Sequence, residues 1–115
     1  MNLPNANVAE VPENKIVGYL LSTTHTAGKS KAAFFGKHGF VVANWQALAW
    51  ALREHATKNP VLQADETAFG KRYIVDGTLL APDGTVLNVR SVLFMTTETT
   101  IPRFATAHPL KRKNR

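Results

Sequence analysis

A chain of 115 residues with 44% apolar side chains is long enough for one small domain with its own core. The absence of cysteine excludes a disulfide framework and thiolate metal sites. Fourteen Lys and Arg against eight Asp and Glu leave a net charge of +6, which points to a polyanionic partner, nucleic acid first.

In chain order, residues 1–11 read as an extended N-terminal arm, with Val8 and Val11 able to lie on the domain. Met1 to Lys15 carries two prolines and two acids and lacks the basic and apolar regions of a secretion leader, so a cytoplasmic protein is expected. No apolar run approaches the ~20 residues that span a bilayer, and no membrane partner is expected. Pro12 suits the first position of a helix and Glu13 its first turn. Ile16, Val17, Tyr19, Leu20 and Leu21 then make a mostly apolar helix of two to three turns. Ser22 to Gly28 is a polar loop with His25 at its middle. A second helix is predicted from Lys29 to His38, anchored by Phe34 and Phe35 and stopped at Gly39. A third begins near Asn44, with Trp45, Leu48, Ala49, Leu52 and Ala56 as its apolar stripe, and stops at Asn59-Pro60.

Val61 to Ala68 reads as a connector. Strand formers follow over Phe69–Asp76, Gly77 interrupts them, and Thr78–Leu80 continues. Pro82-Asp83-Gly84 is a turn. Thr85 to Met95 alternates over its whole length, with Leu87, Val89, Ser91, Leu93 and Met95 toward the helices and Asn88 and Arg90 on the open face. Pro102 to Ala107 is a last strand, expected to set Arg103 beside Arg90 and Phe104 in the core. Residues 111–115 form a basic tail. The order predicts an α+β domain over residues 12–110: two to three N-terminal helices on one face of an antiparallel sheet of about four strands.

The four histidines show no metal-ligand spacing, the acids no placed pairing, and no phosphate loop, dinucleotide fingerprint or serine elbow is present. No metal and no cofactor is therefore expected. A pool of His, Lys and Arg remains: His25, Lys29, Lys31, Arg72, Arg90 and Arg103, with Thr106 able to orient a phosphate oxygen. Metal-independent RNA cleavage needs a base, an acid and cations around the developing phosphorane, and these side chains can supply all three. Each also has a simpler reading. His25 alone is a surface histidine, Lys29 and Lys31 a solvated helix face, and Arg90 a cross-strand partner of Asp76. Trp45 and Trp50 read as packing, and His38 and His55 as helix-end cations.

Several blocks carry a resemblance: Leu3-Pro4-Asn5-Ala6, Val11-Pro12, Tyr19-Leu20-Leu21, His25-x-x-Gly28-Lys29-x-Lys31-Ala32-x-Phe34-Phe35, Gly70-x-Arg72-Tyr73-x-Val75-x-Gly77 and Pro102-Arg103-Phe104-x-Thr106-Ala107-x-Pro109. In this order they resemble a bacterial family of small uncharacterised domains found alone and as C-terminal modules of polymorphic toxins. That context looks like the barnase–EndoU–colicin–RelE type of ribonuclease fold. The resemblance implies a toxin-like, metal-independent ribonuclease held by a cognate antitoxin protein. It implies His25, Lys31, Arg103 and Thr106 as catalytic residues, with Lys29, Arg72 and Arg90 gripping substrate. A noncatalytic basic module that binds nucleic acid or protein is the alternative from the same residues.

Overall fold

The computed structural model describes residues 1–26 and 28–110; the basic tail at 111–115 lies outside the described residues. Glu13–Lys15 forms α1, with Pro12 as its N-cap, and runs on as a π-helical stretch over Ile16–Leu20. Lys29–Lys37 is α2. It ends as its sequence demands: Gly39 takes φ 104°, Phe40 N–H reaches back to the Phe35 carbonyl, and the Phe40 ring packs on Phe35 at 5.9 Å. That is a glycine-terminated helix end with its usual apolar clasp. Trp45–Lys58 is α3. The strands are β1 (Val61–Thr67), β2 (Gly70–Leu80), β3 (Val86–Thr96) and β4 (Arg103–Pro109), antiparallel in the order β1-β2-β3-β4. The architecture is thus the expected α+β layer pair, with the helices N-terminal to the strands. No helix among the described residues is long and apolar enough to cross a membrane.

The core lies between the helices and one face of the sheet. On β3, Leu87, Val89, Ser91 and Leu93 are buried, whereas Asn88, Arg90, Val92 and Phe94 are only partly covered, so the alternation assigns the faces correctly. Ile16, Leu20, Phe35, Leu48 and Leu52 meet Val89, Phe104 and Ala107 in one cluster. A second cluster joins Tyr73, Val75 and Leu93 to Leu3, Ala6 and Ala9 of the N-terminal segment. That segment is less extended than expected: Ala6–Val8 is a 3-10 turn, Val11 is buried and Val8 faces solvent. Met1 accepts a hydrogen bond from Val61 N–H, and Arg53 Nε donates to the Ala9 carbonyl, so α3 and β1 hold it in place.

Four expectations need correction. Val61–Thr67 is a strand, not a connector. Its polar residues hide it from a pattern reading, but Asp65 and Glu66 stand opposite Arg72 and Lys71 and pair with them at 2.7 and 3.4 Å. Gly77 does not interrupt β2; it leaves room for Asn59, whose side chain occupies the space a Cβ would fill. His55 is not a helix-end cation, being 1% exposed. Its Nε2–H donates to the Val89 carbonyl at 2.9 Å and its Nδ1 accepts from Ser91 at 3.1 Å, and burial holds its pKa below the ordinary 6.5. Finally, β4 extends to Pro109 and shifts register at Ala105. The register sets Arg90 opposite His108 and Arg103 opposite Phe94, four residues along β3 from Arg90. Phe104 is buried as expected.

Candidate active site

Four side chains from different parts of the chain meet at the outer edge of β4. Tyr19 comes from the π-helical stretch, whose i−5 bonding is marked by Leu21 N–H to the Ile16 carbonyl at 2.8 Å. Ile16 and Leu20 are fully buried and fix the stretch, which leaves the Tyr19 ring half-buried with its phenol toward β4. Lys31 on α2 donates from Nζ to the Tyr19 oxygen at 2.6 Å. Because an ammonium only donates, the phenol's own proton goes to Thr106 Oγ1 on β4, 2.9 Å away. His25 completes the group, its ring set edge-on to Tyr19 at 5.0 Å.

The loop between Tyr19 and α2 brings His25 there. Ser22 Oγ accepts the His25 N–H, and the His25 carbonyl accepts Lys29 N–H at 2.9 Å, which starts α2. Gly28 N–H reaches His25 Nδ1 at 3.1 Å, so the proton of the neutral ring sits on Nε2. Gly28 packs against the Tyr19 carbonyl so closely that a Cβ would collide with it.

Burial alone would raise the Tyr19 pKa. The hydrogen bonds from Lys31 and Thr106, with the charges of Lys31 and Lys15, outweigh it and hold the phenol below its ordinary 10.0. When the phenol ionises, the Thr106 hydroxyl can turn and donate to it. A cavity of about 450 Å³ opens beside this group, lined by Asn14, Lys15, Gly18, Tyr19, His25 and Ala105.

Of the residues singled out from the sequence, His25, Lys31 and Thr106 come together. Lys29 is exposed at the start of α2. Arg103 is not part of the cluster: its Nη1 pairs with Glu10 Oε1 at 3.0 Å beside a neighbouring cavity. Arg90 holds Asp76 with both Nε and Nη2, at 2.7 and 2.8 Å, and Arg72 holds Asp65. Those two arginines are committed to carboxylates on the sheet. Sequence reasoning missed Tyr19 and Lys15, taking Tyr19 as one more apolar helix residue. The available signal was a phenol inside an apolar run, since a covered hydroxyl needs a partner. Among the described residues no group of three His, Cys, Asp or Glu side chains is placed to hold a metal ion.

A helix-covered antiparallel sheet with a basic, hydroxyl-bearing cluster at its edge strand is the class of domain these features define. Residues 2–111 match the family described as Domain of unknown function (DUF6883), and the chain belongs to that family. Its fold is similar to that of a chain in the contact-dependent growth inhibition toxin – immunity protein complex from Klebsiella pneumoniae 342. The TM-score is 0.72 at 17% identity, over 94% of this chain and 98% of that one. No curated protein matches the chain by sequence.

Proposed function

We propose that this domain is a toxin-like ribonuclease that cleaves RNA at the Tyr19–Lys31–Thr106–His25 cluster without a metal, acting in the cytoplasm. The observation that carries the reading is the 2.6 Å contact from the Lys31 ammonium to the Tyr19 phenol, next to a histidine and an open cavity. A phenol kept below its ordinary pKa is of use where a proton must be removed. In this reading Tyr19, ionised, takes the proton of the attacking 2′-hydroxyl. The 2′-oxygen bonds to phosphorus, the bond to the 5′-oxygen breaks, and His25, entering this step as the imidazolium, gives that oxygen its Nε2 proton and is left as the neutral ring. A 2′,3′-cyclic phosphate and a 5′-hydroxyl result. Lys31 and Lys15 offset the charge that grows on the phosphorane, and Thr106 holds the phenolate. The likeness in fold to a chain of a toxin–immunity protein complex supports a cognate inhibitor protein as partner, one that would cover this basic edge.

Purified protein should cut RNA in EDTA and leave cyclic phosphate ends. Tyr19→Phe and His25→Ala should each slow cleavage about 10²- to 10⁴-fold, the usual range for losing an acid or base. Intact RNA in the presence of the folded protein, or full activity in both variants, sinks this reading.

A further inference from the structure

The second cavity, about 450 Å³, lies next to the first and shares Lys15 and Ala105 with it. Resting on the reading of the Tyr19 site as a ribonuclease, we propose that this cavity is a guanine-binding subsite for the RNA cleaved there.

Its walls suit a base better than a phosphate. Phe94, Ile101 and Phe104 give it apolar surface, and Glu10 adds a carboxylate beside Lys15 and Arg103, so the lining is mixed in charge and not the purely cationic one that suits a phosphate. Phe94 stands in a row across the open sheet face with Arg72 on one side and Arg103 on the other. A partly exposed aromatic ring between cations is a stacking platform for a base. Glu10 is held by its backbone, N–H to the Pro102 carbonyl at 2.9 Å and carbonyl from Phe104 N–H at 2.8 Å, so its side chain starts from a fixed point.

The pair of Glu10 and Arg103 selects among bases. A carboxylate only accepts and a guanidinium only donates. Guanine is the base that shows two adjacent donors, N1–H and N2–H, beside two acceptors, O6 and N7. Glu10 matches the donors and Arg103 the acceptors. The two side chains meet through Nη1 and Oε1 alone among the described residues, and both are more than half exposed, at 58% and 59%. Such a contact opens at little cost. Because the edge used by Glu10 is the one hidden in a duplex, the substrate is single-stranded RNA.

The test uses the whole protein and the four nucleoside 3′-monophosphates as probes, with binding followed by calorimetry and by shifts of the Phe94 and Ile101 signals in NMR spectra. Guanosine 3′-monophosphate should bind at least about tenfold more tightly than the others, the discrimination expected of one good bidentate contact. Glu10→Gln should remove that preference in a folded protein, and Phe94→Ala should weaken all four about fivefold or more. Equal affinities, or a guanosine preference that survives Glu10→Gln, overturn the proposal. Cleavage of mixed-sequence RNA with no preference for guanosine overturns the subsite and leaves the nuclease standing. Guanosine-selective binding without cleavage does the reverse.

Discussion

Tyr19 and His55 are two polar side chains inside apolar helices, and their surroundings send them in opposite directions. Tyr19 faces cations and a hydroxyl, which favour its ionised form. Ultraviolet difference titration against Tyr19→Phe should therefore find a phenol that ionises below 10.0, and Lys31→Met should move it upward. His55 is enclosed, and its environment favours the neutral ring. Its folded pKa lies below the unfolded value, so the unfolded chain binds more protons between the two. His55 thus contributes its full stabilisation above pH 6.5, and that contribution falls as pH drops toward the folded value. Denaturation at a series of pH values should show a slope of at most about 1.4 kcal/mol per pH unit in that window. His55→Gln should flatten it; an unchanged slope would place the titrating group elsewhere. Neither behaviour is legible in the sequence, where both residues sit at helical spacing among apolar neighbours. What distinguishes them is what β3 and β4 bring across to meet them.

At the scale of elements, the N-terminal segment and β1 were hardest to read. Leu3, Ala6 and Ala9 are too few and too irregularly spaced to announce a layer, yet they join Tyr73, Val75 and Leu93 in a buried cluster. Leu3→Ala should lower stability by about 2–5 kcal/mol in chemical denaturation, as for other buried leucines. A loss under 1 kcal/mol would mean that the segment is dispensable to the core. The β2 glycine offers a sharper check. Asn59 fills the space at Gly77 while donating to the His55 carbonyl at 2.9 Å and the Thr78 carbonyl at 3.2 Å. Gly77→Ala must push that side chain out, so it should cost about 1–3 kcal/mol. The same substitution should cost less in an Asn59→Ala background, and additive effects would contradict the account. The clearer elements, α2, α3 and β3, owe their legibility to a long, clean period and to proper stops such as Gly39 and Asn59-Pro60.

For the whole molecule, the net charge of +6 says that polyanions are attracted but not where they go. Ion pairing narrows the choice. Arg72 and Arg90 are bound to Asp65 and Asp76, whereas Lys15 lines both cavities. Lys15→Ala should weaken single-stranded RNA binding and reduce the salt slope of the affinity by about 0.7, the share of one phosphate contact. Arg90→Ala should leave that slope unchanged. Titrations across a range of salt concentrations separate the two, and equal effects from both substitutions would return the open sheet face to consideration.

By itself the sequence determined the layers. Period and turn chemistry are local, so helices, the faces of β3 and the burial of Phe35 and Phe104 follow from neighbours a few residues apart. Tertiary structure alone decided which polar groups meet. The pairing of β4 with β3 sets Arg103 opposite Phe94 and leaves His108 opposite Arg90, and a glycine at position 28 lets a loop bring His25 to Tyr19. Such meetings depend on strand register and on contacts between segments far apart in the chain, 87 residues for Tyr19 and Thr106 and 93 for Glu10 and Arg103, and no local pattern encodes them.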